Sequence, residues 1–364
     1  MKKYTLGSIQ LVLLDRPSRA IKDLIKNTVL GTPGGIRYAH AQQKGKLEKL
    51  PNAKFLALQM GTRTLGCICL VRRKFINSPS VIHTDLVRYL SIKSLMRDNH
   101  HQSSTKNTTS KGKLKGVIKT LFNDLPQIQQ SEDSDYLLYA HVDSHNSRSY
   151  NLVESMGFEK YRSFQTTLFS RFFASKDSQF ALLEGRHLEE AKLLIQSQYK
   201  DHSFFDLDLV EVNRDLYGLI ENNKVIACVK VRPSAYKVVE IPGIGGKILL
   251  NWISKLPYLS KKLNPEELKF LAFEAISVQE GKEGKIASLL ESCCAEYKRS
   301  VGMYFMDTED KLYKYLVPKG RNGIVNGLLR FKPAALLIRK YKLSAENENF
   351  LRSNPTFVST FDVI

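Results

Sequence analysis

The chain has 364 residues, 43% hydrophobic and 25% charged, the balance of a folded globular protein and not of a disordered chain. Its formal net charge of +19 is uneven: residues 1–174 hold 27 basic and 12 acidic side chains (+15), residues 175–364 hold 28 and 24 (+4). No run approaches the roughly 18 consecutive apolar residues of a membrane-crossing helix, and Gly7, Ser8 and Gln10 interrupt any secretory leader after the basic Met1-Lys2-Lys3-Tyr4.

This length predicts two cores, divided at 1–174 and 175–364. In the first half Ile9–Leu14 reads as a strand closed by Asp15-Arg16-Pro17. Ser18 is placed to cap a helix carrying Ala20, Ile21, Leu24 and Ile25. Gly31-Thr32-Pro33-Gly34-Gly35 stops that helix. Phe55–Met60 and Leu65–Val71, joined by Gly61-Thr62-Arg63-Thr64, predict a hairpin, and Val87–Met96 another strand. The polar stretch Arg97–Lys111 reads as a loop. Helical spacing returns at Val117, Ile118, Leu121, Phe122 and Leu125 and closes at Pro126. A strand at Tyr136–Val142, a short helix over Ser147–Met156 and a hairpin-like stretch at Phe158–Phe173 complete this half. Ala174-Ser175-Lys176-Asp177-Ser178 reads as a linker.

The second half repeats the order: strand Phe180–Leu183, helix Leu188–Tyr199, then Leu216–Ile220 and Val225–Val231 around Glu221-Asn222-Asn223-Lys224. The Asn pair suits a turn with positive φ. A helical insertion around Ile248–Leu256, strand Leu271–Val278, helix Lys285–Arg299, strand Met303–Met306, a helix from about Thr308 and a last apolar stretch at Ala334–Ile338 follow. The five cysteines (67, 69, 228, 293, 294) show no CxxC spacing and read as buried thiols of a cytoplasmic protein. The histidines show no metal-ligand spacing, so no metal is expected.

The most specific stretch is Asn146–Phe158, NSRSYNLVESMGF, lying between two strands. It resembles the "N-x-x-A-x-x-L-Y-x-x-x-G-F" helix of the GNAT acyl-CoA-dependent N-acetyltransferases, with Asn146, Ser149, Leu152, Gly157 and Phe158 at matching offsets and Val153 where many members carry Tyr. The resemblance implies a tandem of two GNAT-like domains of α/β (α+β) class, each a mixed, mostly antiparallel twisted sheet flanked by helices. It also implies a pyrophosphate loop of the form Q/R-x-x-G-x-G/A, whose glycines and helix-start N–H groups cradle phosphates. Two stretches are candidates: Lys111-Gly112-Lys113-Leu114-Lys115-Gly116-Val117, and Val278-Gln279-Glu280-Gly281-Lys282-Glu283-Gly284-Lys285. Asn146 and Ser149 would lie along the cofactor, Glu274 is a candidate general base and Tyr313 a candidate acid for the CoA thiolate.

The implied activity is transfer of an acetyl group from acetyl-CoA to an amine. Two alternatives stand beside it, a non-catalytic GNAT scaffold or CoA sensor and a Fem-like transferase that uses aminoacyl-tRNA. The basic first half would suit RNA, but no RNA- or DNA-binding motif accompanies it.

Overall fold

A computed structural model describes residues 3–6, 8–31, 36–41, 47–92, 108–128, 134–143, 146–210, 214–241, 263–316, 321–329 and 331–364. The chain opens with a hairpin, β1 (Lys3–Leu6) and β2 (Ile9–Leu14). Ser18 accepts the Ile21 N–H at 3.3 Å and so caps α1 (Arg19–Lys26), which buries Ile21, Leu24 and Ile25. β3 (Arg37–His40), β4 (Ala53–Met60), β5 (Arg63–Phe75) and β6 (Ile82–Ile92) follow, with β4 and β5 the expected hairpin. Then come α2 (Thr108–Ile128), β7 (Asp135–Val142), α3 (Ser147–Glu154) and β8 (Glu159–Ser170).

The second half runs β9 (Phe180–Leu182), α4 (Gly185–Tyr199), α5 (Leu207–Val210), β10 (Leu216–Glu221), β11 (Lys224–Glu240) and β12 (Leu268–Val278). It continues with α6 (Ile286–Glu296), β13 (Val301–Asp307), α7 (Lys311–Leu316), α8 (Ile324–Leu329), β14 (Ala334–Lys342), α9 (Ala345–Ser353) and α10 (Thr360–Val363). Asn222 (φ 49°) and Asn223 (φ 59°) form the turn expected between β10 and β11.

Two expectations change. Phe158–Phe173 holds one 12-residue strand, β8, and not a hairpin, because both of its neighbours come from elsewhere in the chain. α2 begins at Thr108 and not near Val117: its apolar spacing extends back through Leu114, and the helix tolerates Gly112 and Gly116. The expected helix at 248–256 and the loop residues 97–107 lie outside the described residues.

The fourteen strands form one sheet in the order β1-β2-β4-β5-β6-β7-β14-β8-β13-β12-β11-β10-β9, with β3 pairing β11. The sheet is mostly antiparallel, with α2 and α3 packed on one face of the first half and α6 on one face of the second. The halves exchange strands. β14 inserts between β7 and β8, and β8 pairs with β13, so each half completes its sheet with a strand of the other.

Both halves contain a parallel strand pair that separates part-way. β6 and β7 are in register from Ile82↔Asp135 to Val87↔Ala140, and β12 and β13 only at Leu271↔Gly302 and Ala272↔Met303. Each separation coincides with a bulge, at Tyr89 (φ 53°) in β6 and Ala275 (φ 50°) in β12. The strand behind shifts register at matching places, between Cys67 and Cys69 and between Cys228 and Lys230. Arg88 therefore corresponds to Glu274, and counting along the parallel partners His141 corresponds to Phe305.

Gly302 makes the short β12–β13 pairing possible. A Cβ there would sit 2.0 Å from Cε2 of the fully buried Phe273. Gly302→Ala is expected to cost about 1–3 kcal/mol through overpacking, read as a lower urea midpoint, and an unchanged midpoint would show that Phe273 can move aside.

Candidate active site

In the first half Lys111, Gly112, Lys113, Lys115, Gly116 and Val117 lie inside α2 and not in a loop. From Gly112 onward the helical N–H groups bond to carbonyls four residues back, so this stretch offers no backbone cradle for phosphate. Asn146 is the N-cap of α3, its side chain accepting the Ser149 N–H at 3.0 Å. Gly157 (φ 85°) ends that helix in a Schellman turn, Phe158 N–H donating to Val153 O at 3.2 Å. Val153 and Phe158 are both buried in the core beneath α2.

In the second half the strand-to-helix junction is as expected, but its groups are engaged internally. The Gln279 side-chain Nε2 donates to Val225 O at 2.9 Å, the Gly281 N–H to Glu283 Oε1 at 3.1 Å and the Lys285 N–H to Lys282 O at 2.9 Å. Lys282 pairs with Glu221 at 2.6 Å, and Lys285 Nζ donates to Gln179 at 3.1 Å. Glu283 thus offers its own carboxylate to the N–H of Gly281, where the resemblance implied a phosphate. Gly284 is exposed and Val278 buried.

Glu274 and Tyr313 are not brought together. Tyr313, its hydroxyl pKa raised by burial, packs against the core cluster under α6 that includes Phe273, whereas Glu274 follows Phe273 in the strand and points to the opposite face. There Glu274 is 2% exposed and accepts the Phe361 N–H on Oε2 at 3.0 Å. Burial pushes its carboxyl up to about 8, against the pull of the Ser359 hydroxyl and the Phe361 N–H.

The face of Glu274 is covered by residues 355–364. Thr356 N–H donates to Asp307 Oδ2 at 2.8 Å, Phe357 N–H to Ser203 O at 2.8 Å and the Thr360 hydroxyl to Phe273 O at 2.7 Å. Phe357, Val358 and Thr360 enter the gap between the separating β12 and β13, beside Ala275, Ile276, Tyr304, Phe305 and Met306. The cavity left there is about 20 Å³, room for one water and not for an acyl group. The second divergence is filled by the protein itself.

The same segment then crosses to the first half. Asp362 Oδ1 lies 2.7 Å from Arg73 and 3.7 Å from Arg88, and Arg88 also donates to Ile364 O at 3.0 Å. Arg232 stacks 3.9 Å from the Phe361 ring centre. Here the divergence is more open: Tyr89, Leu90 and His141 are half-buried, whereas Ala275, Ile276 and Phe305 at the matching positions are 4%, 1% and 8% exposed. Tyr38, stacked on Tyr236 at 4.4 Å, and His40, edge-on to Tyr89 at 6.0 Å, wall it on the side of the second half. Arg73, Arg88, His141 and Asp362 were not singled out from the sequence. The one signal was polar residues inside strand-like apolar runs, as at His141 within Tyr136–Val142.

Among the described residues no group of three His, Cys, Asp or Glu side chains could hold a metal, and no helix is long and apolar enough to cross a membrane. All five cysteines are buried and unpaired.

No family model and no curated protein matches the chain. Among solved structures it is similar to N-myristoyltransferase of Saccharomyces cerevisiae with bound myristoyl-CoA, at TM-score 0.57 and 9% identity, over 98% of this chain and 90% of that one. It is also similar to a GCN5-related N-acetyltransferase from Sphaerobacter thermophilus, at TM-score 0.52 and 8% identity, over 92% of this chain and 98% of that one. At such identities the likeness is one of fold: the chain has a GNAT-superfamily fold, built twice within one continuous sheet.

Proposed function

We propose that the protein is an acyl-CoA-dependent N-acyltransferase that moves an acetyl group from acetyl-CoA to an amine, with a single working cleft in the first half. The observation that carries this reading is the contrast between the two strand divergences. In one, Tyr89, Leu90 and His141 stay half-buried beside Arg88 and Asp362; the other is packed with residues 356–360. A separating parallel pair leaves backbone donors and acceptors without sheet partners, able to bind an extended amide-bearing thioester and polarise its carbonyl. In the second half the segment itself supplies such partners, as Thr360 does for Phe273 O. The acyl-CoA ligand of the similar yeast protein and the acetyltransferase fold of the bacterial one support a CoA thioester as donor.

Isothermal titration with acetyl-CoA is expected to show one site per chain, with the Kd of Gly284→Glu unchanged because Gly284 belongs to the occupied half. Two sites, or binding abolished by Gly284→Glu, would return the cofactor to the second half; no binding would remove the donor. The non-catalytic alternative draws on the self-bonded loop at Gly281–Glu283. Binding without release of free CoA thiol from any amine would establish it.

A further inference from the structure

We infer that His141 is the proton acceptor for acyl transfer in the first divergence, an inference that rests on reading the chain as an acyltransferase. His141 lies near the end of β7, just beyond the last residue paired with β6, Ala140. Its ring stands edge-on to Tyr139 (5.8 Å, 86°) and to Phe164 of β8 (5.2 Å, 82°). Among the described residues its ring nitrogens have no hydrogen-bond partner, and the side chain is half-buried.

The second half provides an internal control. Phe305 occupies the matching position in β13 and packs on the same Phe164, at 6.0 Å. An aromatic ring is thus what packing beside β8 asks for, and ring nitrogens are not. They occur only in the half whose strand divergence keeps Tyr89, Leu90 and His141 partly exposed. Arg88 of β6, Asp362 of the terminal segment and Tyr139 of β7 are the charged and titratable groups around the imidazole. Burial lowers the His141 pKa to about 4, with Asp362 opposing and Arg88 assisting. At neutral pH the imidazole is therefore uncharged, a weak base whose imidazolium readily gives its proton up again.

In the step itself the amine nitrogen bonds to the thioester carbonyl carbon, the C–S bond breaks and CoA leaves as the thiolate. The proton released from nitrogen passes to His141. The imidazolium then returns it to the thiolate, giving the amide, CoA thiol and neutral His141.

The test uses the full chain with acetyl-CoA and two primary amines, spermidine and lysine, following free CoA thiol. His141→Phe copies the residue of the second half and is expected to fold and bind acetyl-CoA as the wild type does, while kcat falls about 100-fold or more. His141→Ala is expected to regain part of the lost rate when imidazole is added. Undiminished kcat in His141→Phe would overturn the role of His141 and leave the transferase reading standing. Failure of the wild type to bind acetyl-CoA would overturn both, and binding with no thiol released from either amine would overturn a proton-accepting role for His141.

Discussion

Asp362→Ala is expected to destabilise the protein by about 3–5 kcal/mol, the usual cost of stripping one partner from a buried ion pair. The Asp362 side chain is 5% exposed, and its partners Arg73 and Arg88 are 15% and 7% exposed. Removing the carboxylate leaves two guanidinium groups in a site without water enough to solvate them. The size of the effect comes from those stranded charges more than from the attraction itself, so Arg73→Met combined with Asp362→Leu should recover part of the loss. Urea denaturation checks both variants. A loss below about 1 kcal/mol in Asp362→Ala would mean that the pair is solvated and behaves as a surface bridge.

The second large effect is a pH dependence centred on Glu274. Its carboxyl stands at about 8 in the fold against an ordinary value of 4.5. Between those values the folded protein holds a proton that the unfolded chain has released. Its stabilising contribution is therefore complete below pH 4.5 and is lost as pH rises through about 8. At about 1.4 kcal/mol per pH unit, this one group should lower wild-type stability by about 4 kcal/mol between pH 5 and pH 8. Glu274→Gln has nothing to ionise, so the difference between variant and wild type should move by that amount in favour of the variant. Chemical denaturation of both at the two pH values reads it directly. A difference that stays constant with pH would show that Glu274 is already ionised in the fold.

Local features were legible in the sequence and non-local ones were not. Ser18, the Asn222-Asn223 turn and the Asn146 and Gly157 ends of α3 each act through atoms a few residues away, so their neighbours in sequence are enough. The order of strands and helices in both halves follows from periodicity for the same reason. The placement of β14 between β7 and β8 does not, because no local pattern states which edge a strand will join. The start of α2 at Thr108 is hidden in the sequence by the polar, glycine- and lysine-rich stretch that precedes its apolar spacing at Leu114. Asp362 gave no sign of its role, since its partner Arg73 stands 289 residues earlier. Of the candidate site residues, Glu274 could be picked out as a strand carboxylate, but only the fold shows that a segment of the same chain covers it.

The strand exchange also constrains how the chain can be made. β7 and β8 emerge from the ribosome with the place between them empty, and β14, which fills it, begins at Ala334, 164 residues after β8 ends at Ser170. Until then both strands carry unpaired edges, the kind of surface that recruits foreign strands. The first half should accordingly remain unfinished through most of translation, and closing it should be a late, slow event dominated by distant contacts. A nascent chain halted near residue 300 is thus expected to bind chaperones and resist purification as a folded unit, whereas one carried past β14 should lose that dependence.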